Sequence, residues 1–436
     1  MTGAEQAGLA GCTGGGRTTE MDRNAAHPSA LSTPTVLFVL PWSPDAIGGV
    51  SGVVVNLYRA FAKGRSVRPR LLVEAYPHRS ITPVATRALG PIDGFYLMPP
   101  TVPGERLRRG AAFFLRLPTA LARLREYFRR HDVQAINIHY PSLASLMLLL
   151  ARPRQARPIP VVLSIHGADL NSARGAGWAD RWLWNAMIGR CNAVVACSQA
   201  LAKEFLEVFP AARDSLHVIL NGIDGDACRR ASRAAALPAA LEGRRYLANL
   251  GTFEHKKGQD VLLAAFRRIA AAHPDLHLAL AGRSGPALAA LQTAAQGETL
   301  RGRVHIFVDQ SHAEAMAILS HAELMLHPAR QEPFGLVILE AASLDVPVIA
   351  TGIGGIPEIV EDRRSGRLVP ADDAEALATA ALEALADPAT TRGYAAVLRK
   401  EAEDRFSWTS AVEAYAKLFR TPLEPSGSDA GRHSGR

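Results

Sequence analysis

Residues 328–342 read Pro328-Ala329-Arg330-Gln331-Glu332-Pro333-Phe334-Gly335-Leu336-Val337-Ile338-Leu339-Glu340-Ala341-Ala342. Pro333 stands where a first-turn helix proline would stand, because its fixed φ suits that position and its missing N–H costs nothing there. The reading places the start of a helix near Phe334. The first N–H groups of such a helix have no intrahelical partners, and the dipole puts partial positive charge beside them. Gly335 allows a ligand close to that backbone. The stretch Phe334-Gly335-Leu336-Val337 therefore reads as an anion site suited to phosphate. From Leu336 to Ala342 every residue except Glu340 is apolar, which predicts a buried helix. A buried carboxylate needs its acceptors satisfied, and the vicinal hydroxyls of a ribose would do so. Glu332, at the helix mouth, is placed to accept from the hydroxyls of a sugar. A phosphate between two hydroxyl-binding carboxylates describes a nucleotide-sugar. A buried helix with one Glu paired to an Arg fits this stretch equally well on its own.

The rest of the chain bears on that choice. Its 436 residues predict two domains or more, and 48% hydrophobic residues are enough for sizeable cores. The net charge is +8, carried by 43 Arg and 6 Lys against 41 acidic residues. Such a balance suits anionic partners, among them phosphates, acidic lipid surfaces and nucleic acid. Nucleic acid has only the net charge in its favour and is not expected as a partner. Cys12, Cys191, Cys197 and Cys228 show no CxxC spacing and no His partner, so free thiols are expected and no metal site. No secretory core is seen near the start, and no apolar run approaches the ~18 residues of a membrane span. A cytoplasmic protein is expected.

Residues 1–33 and 422–436 lack periodicity and read as disordered tails. Strand Thr35–Leu40 is followed by a loop to Gly48-Gly49 and a helix to about Ala62, the order of a ligand-binding βα unit. A strand at 70–75 precedes an irregular segment reaching about Pro103. Residues 104–131 read as a basic amphipathic helix. Phe113, Phe114, Leu117, Leu121 and Leu124 form its apolar side and Pro118 is placed to kink it. Such a segment suits an anionic membrane surface and equally a solvated face of an α/β domain. Strands at 135–139 and 159–165 flank a helix at 142–151, and the second strand ends in His166-Gly167-Ala168-Asp169. Ligands in open α/β sheets bind at the carboxyl ends of strands, which places His166 for chemistry. Strands at 193–196 and 216–220 complete a first domain over 34–225. Ser198 stands at a helix N-cap, and Asn221-Gly222 is a turn signal.

Residues 226–243 are rich in Ala and Arg and read as an interdomain linker. The strand–helix alternation then restarts across 244–405, with strands at 245–250, 276–281, 304–308, 324–327 and 346–350. A last helix, within 406–421, is expected to pack back toward the first domain. Two successive α/β runs imply two parallel-sheet domains with a cleft between them.

Taken in order, Gly48-Gly49, His166-Gly167-Ala168-Asp169, Asn221-Gly222-Ile223-Asp224, Gly251-Thr252-Phe253-Glu254-His255-Lys256-Lys257-Gly258, Gly282-Arg283-Ser284-Gly285, the Glu332…Glu340 pair and Gly354-Gly355-Ile356-Pro357-Glu358 resemble family 4 glycosyltransferases over roughly residues 35–420. The resemblance implies the α/β GT-B architecture, two Rossmann-like domains facing across a cleft. It implies a retaining transferase that moves a hexose from a nucleotide-sugar to a glycan or glycolipid, as in cell-surface polysaccharide or lipopolysaccharide synthesis. UDP is the favoured nucleotide, with GDP the alternative, and no metal cofactor is implied. Lys257 would neutralise the leaving diphosphate. Glu332 would orient the transferred sugar, Glu340 the ribose, and His166 would sit by the reacting bond. Gly48 and Gly49 would place backbone against the donor phosphate or the acceptor. Thr252 stands where the family often has Arg, and Lys256 fits the related loops that put a second cation just before the lysine. Front-side attack, with the leaving phosphate taking the acceptor's proton, is implied in the same way. Other activities on this fold, a nucleotide-sugar 2-epimerase among them, and a non-catalytic nucleotide-sugar-binding module remain open. Asp224-Gly225-Asp226 has the D-x-D form of a metal motif but sits in the interdomain turn, and two carboxylates are a poor site by themselves.

Overall fold

A computed structural model describes residues 33–46, 48–75, 80–96, 106–142, 145–153, 158–175 and 177–420, with the backbone alone for 106–110 and 179. Of the expected tails, 1–33 and 422–436, all but residue 33 lie outside these residues.

The first sheet is built from β1 (Thr35–Leu40), β2 (Arg68–Val73), β3 (Thr82–Thr86), β4 (Gly90–Gly94), β5 (Val133–His139), β6 (Val161–Ile165), β7 (Ala193–Ala196) and β8 (Leu216–Val218). Their spatial order is β3-β4-β2-β1-β5-β6-β7-β8. Every pairing is parallel except β3 with β4. The second sheet holds β9 (Arg245–Leu250), β10 (Leu276–Gly282), β11 (Val304–Val308), β12 (Leu324–His327), β13 (Val348–Thr351) and β14 (Arg367–Val369), in the order β11-β10-β9-β12-β13-β14, all parallel. These are the two Rossmann-like sheets that the resemblance implies.

The central strands are covered on both faces, which is why β1, β6, β7 and β13 read as near-continuous apolar runs. In β1 all six residues are buried. Val36, Phe38 and Leu40 face a core shared with α1 (Gly49–Gly64), whereas Leu37 and Val39 face one shared with α2 (Arg106–Arg130) and α3 (Leu146–Ala151). In the second sheet Leu247, Leu278 and Leu326 meet α8 (Gln259–Ala272) and α12 (Ala374–Ala386). Ala248, Ala279 and Met325 meet α10 (His312–Ser320), α11 (Leu336–Ser343) and α13 (Pro388–Arg405) on the other face.

Several elements differ from expectation. The segment before Pro103 carries the β3–β4 hairpin, whose β4 pairs parallel with β2. Its Gly and Pro content hid a short edge pair. Two helices, α4 (Ala168–Arg174) and α5 (Trp178–Ile188), fill the crossover from β6 to β7, and α6 (Gln199–Val208) follows β7. Part of the expected linker is helical. Residues Gly225–Ala234 form α7, which packs on α10 and α11. Asp224 caps it by accepting from the Ala227 N–H at 2.8 Å, and Asp226 pairs with Arg229 at 2.7 Å. The D-x-D pattern is thus a helix start, with both carboxylates engaged. Helix α9 (Leu288–Ala295) follows β10, and β14 was not expected. Its three residues are too few to show a period.

The final helix, α14 (Trp408–Leu418), lies against α1. Phe419 reaches Phe38 and Phe61 at ring distances of 6.3 and 5.8 Å. The two chain crossings between the sheets run side by side, with the Ile223 N–H donating to Phe406 O at 2.8 Å. A β-carbon on Gly222 would come within 2.4 Å of the Trp408 nitrogen, so that crossing needs glycine.

Candidate active site between the two sheets

The decisive stretch departs from its expected geometry. Helix α11 begins at Leu336, and Pro333 lies three residues before it rather than in its first turn. The residue that sets the entry is Gly335, at φ +111, a conformation that L side chains rarely adopt. Pro333 instead meets the first domain. Its carbonyl accepts from Ser198 Oγ at 2.6 Å, and a β-carbon on Gly167 would sit 2.3 Å from Pro333 Cγ. Ser198 also caps α6, accepting from the Leu201 N–H at 3.0 Å. Glu358 completes this contact by accepting from the Gln199 and Ala200 N–H groups, both at 2.9 Å. The carboxyl end of β12 is therefore pinned to the carboxyl ends of β6 and β7.

That contact gathers the predicted residues on two facing walls. His166 follows β6 and Gly48-Gly49 open α1 on one wall. Lys257 ends the 3-10 turn His255–Lys257 after β9, and Glu332 follows β12, on the other. A β-carbon on Gly48 would lie 3.9 Å from Arg283 Nη1, and one on Gly49 would lie 3.9 Å from Leu336 Cδ1. The glycine pair thus faces both the head of α11 and the turn after β10. Arg283 was not among the expected site residues, although its Gly282-Arg283-Ser284-Gly285 loop at a strand end marked the place.

Lys257 Nζ donates to Glu332 Oε2 at 2.7 Å, with their side chains 18% and 11% exposed. His327 Nε2 lies 3.2 Å from the same oxygen. Burial alone would raise the Glu332 pKa, but Lys257 and His327 together hold it well below the usual carboxylate range. His327 was missed, although it ends β12 where the strand-end rule points. Gly258 lets the lysine turn close. It has φ +67, and a β-carbon there would fall 1.9 Å from Pro328 O. Arg330 ties the same two loops together by donating to His255 O at 2.7 Å and to Asp260 at 2.7–2.8 Å.

Lys256 faces differently from Lys257. Its ammonium pairs with Glu254 at 2.6 Å, and its carbonyl accepts from the Arg330 N–H at 2.8 Å. Thr252 borders the same turn, its carbonyl accepting from Gln259 Nε2 at 3.1 Å. Phe334 is a core side chain, 5.9 Å from the Phe406 ring, so only its backbone is free to serve an anion. Leu336 and Val337 are half-buried at the head of α11.

Among the described residues no Arg pairs with Glu340. Its side chain is 23% exposed rather than fully buried, and His312 Nδ1 is 3.7 Å away. Burial lowers the His312 pKa, which leaves that ring a weak partner. Loss of water pushes the Glu340 carboxyl up to about 7. An acid raised in the folded state costs stability as pH climbs from its unfolded value, near 4.5, through about 7. Glu340→Gln is therefore expected to stabilise the free protein by about 1–2 kcal/mol at pH 8 and by nothing at pH 4. Thermal unfolding at the two pH values checks this, and an equal shift at both would contradict it.

His166 is held from below. Its backbone N–H donates to both Asp169 oxygens at 3.1 Å, and Asp169 also accepts from Gly167 and Leu170. Burial raises the Asp169 carboxyl to about 6 against those bonds and lowers the His166 ring to about 4. The His166 imidazole is thus neutral, one residue before the Gly167 that abuts Pro333.

Comparison with known proteins gives the family and the fold. Residues 47–227 match the model described as Glycosyltransferase Family 4, and residues 236–405 match Glycosyl transferases group 1. The alpha-maltose-1-phosphate synthase of Mycobacterium tuberculosis is 32% identical over 285 residues, which cover 60% of this chain and 73% of that one. The glycogen synthase of the same organism is 29% identical over 272 residues, covering 60% of this chain, and the match spans only 63% of the synthase's length. The crystal structure of Anabaena Alr3699/HepE in complex with UDP and glucose superposes with a TM-score of 0.67 at 20% identity, covering 88% of this chain and 98% of that one. The fold is GT-B, and the chain belongs to glycosyltransferase family 4.

Proposed function

We propose that this protein transfers a hexose, with retention of configuration, from a nucleoside-diphosphate sugar to a glycan or glycolipid. The observation that carries the reading is the Lys257–Glu332–His327 cluster beside the head of α11, across from Gly48-Gly49 and His166. Lys257 and the α11 backbone amides would take the diphosphate, whose charge grows as the glycosidic bond breaks. Bound diphosphate would draw Lys257 from Glu332 and free that carboxylate to accept from sugar hydroxyls. Glu340 would accept from the ribose hydroxyls, which repays the cost of ionising it in a desolvated place. UDP is the favoured nucleotide, in line with the UDP held by the Anabaena neighbour. The diphosphate needs no metal in this scheme. The acceptor's proton passes to the leaving phosphate as the new bond forms on the same face.

The test is a thermal-shift screen of UDP, GDP and ADP with their common sugars. Native-state binding raises the melting temperature by mass action, by an amount equivalent to about 2.7 kcal/mol at a hundredfold excess over Kd. UDP and a UDP-sugar are expected to stand out. A chain that shifts with none of them is not a nucleotide-sugar enzyme.

The basic helix supports a peripheral contact with anionic membrane. Phe114 and Leu115 are 68% and 83% exposed on α2, beside exposed Arg116. Phe113 and Leu124 face the core, so Phe114 lies outside the apolar side expected for it. Arg106, Arg108 and Arg109 lie in the turn described by backbone alone. Among the described residues no helix is long and apolar enough to cross a membrane. Flotation with anionic liposomes is expected to show binding that weakens as salt rises, and to drop in Phe114→Ser/Leu115→Ser. No flotation at low salt would remove the proposal.

A further inference from the structure

Beneath His166 lies a buried polar chain that sugar transfer as described above does not use. His139 ends β5 and is fully enclosed. Its Nδ1 stands 3.2 Å from His166 Nε2, and the two rings stack at 5.4 Å and 26°. Phe38 stacks on His139 at 6.0 Å, and the Tyr415 ring of the last helix lies 6.5 Å away. Among the described residues, nothing able to hydrogen-bond reaches His139 Nε2, which is itself buried. His166 is only part-buried, and its Nδ1 has no hydrogen-bond partner among those residues.

Burial lowers the proton affinity of both rings, so both are neutral near pH 7. A neutral imidazole carries one N–H and one lone pair. The 3.2 Å contact needs an N–H from one side. If His166 donated, the proton of His139 would sit on Nε2 as a buried donor without an acceptor. If His139 donates, a lone pair is left there instead. An orphaned buried N–H is the rarer and costlier of the two.

We propose that His139 donates from Nδ1 to His166 Nε2 and so fixes His166 as the Nδ1–H tautomer, a hydrogen-bond donor to an oxygen of the bound sugar. His139 is a positioning residue in this scheme. His166 has its other ring nitrogen, Nδ1, already protonated, so it cannot take the acceptor's proton there. The role of the sugar oxygen rests on the proposed transfer function, whereas the tautomer does not.

The experiment is long-range proton–nitrogen correlation NMR on full-length protein with 15N-labelled histidine at pH 7. His166 signals are assigned by their loss in His166→Asn. The expected spectrum shows Nδ1–H on both rings. An Nε2–H tautomer or an imidazolium at His166 overturns the proposal. His139→Leu is expected to release His166 from that tautomer and to lower kcat about tenfold, with donor KM changed less than about twofold. His139→Gln keeps a side-chain N–H and is expected to recover kcat to within about threefold. A His139→Leu protein that keeps both the tautomer and full kcat also overturns it. If that variant does not fold, the wild-type spectrum still decides. A wild-type protein without transfer activity would refute the proposed function and leave the tautomer result standing.

Discussion

Lys257→Ala is expected to slow sugar transfer by about 10²–10³-fold, the usual loss when one stabiliser of developing charge is removed. The fall should lie in kcat more than in donor KM, because the diphosphate charge grows as the bond to the sugar breaks. The same substitution reaches into stability. Glu332 keeps its charge in a nearly closed place because Lys257, at 2.7 Å, and His327, at 3.2 Å, outweigh burial. Removing one partner of a buried ion pair costs about 3–5 kcal/mol where no other group compensates. His327 and protonation of Glu332 soften this, so about 2–3 kcal/mol is expected at pH 7. The sign with pH is definite. In the wild type the folded-state pKa of Glu332 is depressed. Its stabilisation is therefore present above the unfolded value, near 4.5, and is lost as pH falls below it. In Lys257→Ala burial prevails, the folded-state pKa rises, and the deficit shrinks as pH falls toward 4. The double variant Lys257→Ala/Glu332→Gln should recover most of the lost stability and none of the transfer rate. Steady-state kinetics and unfolding at pH 4 and 7 measure both effects. A single variant with wild-type kcat would remove Lys257 from the site.

Gly258→Ala is expected to destabilise the protein by about 3 kcal/mol or more, the scale of a strained backbone position combined with overpacking. At φ +67 a side chain is already strained, and its β-carbon would lie 1.9 Å from Pro328 O. A carbonyl in the loop that carries Glu332 has little room to yield. Its neighbours Arg330 and Gln331 donate their N–H groups to Lys256 O at 2.8 and 3.2 Å. The two loops must part for the methyl to fit, and Lys257 then loses its register with Glu332. Stability and activity should fall together. Gly243→Ala is the control, since Gly243 also has a positive φ, +66, but a β-carbon there meets nothing within 4 Å. It should cost about 1 kcal/mol and leave transfer unchanged. Equal effects of the two substitutions would show that backbone strain, not loop contact, sets the cost.

Much of the architecture was open to reading in the chain alone, and for one reason. Strands covered on both faces need near-continuous apolar runs, and β1, β6, β7 and β13 carry them. In open α/β sheets chemistry sits at the carboxyl ends of strands, which is how His166 stood out, whereas Glu332 stood out at the mouth of the helix and Lys257 only through the family resemblance. Local pattern served less well where an element is short or amphipathic in only a few residues, as in the β3–β4 hairpin, β14 and α7. At the head of α11 the rule for a first-turn proline gave the wrong start. The conformation is set instead by Gly335, and by Pro333 lying against Gly167 and Ser198. Those partners lie more than 130 residues away along the chain, so no local preference records them.

The sequence by itself determined two parallel α/β sheets, the residue types at their strand ends, and the family. It did so because hydrophobic periodicity and ordered glycine-marked turns are local properties. The tertiary structure decided which carboxylate is paired. Glu332 is held by Lys257 and His327 and stays ionised, while Glu340 has His312 at 3.7 Å as its ion-pair neighbour among the described residues and is raised to about 7 by loss of water. It also put His139 under His166 and separated the duties of Lys256 and Lys257, the first engaged with Glu254 and the second with Glu332. Charge state and tautomer depend on burial and on partners within a few ångströms. Residues 75 apart in sequence become such partners only when two sheets bring their strand ends to one place.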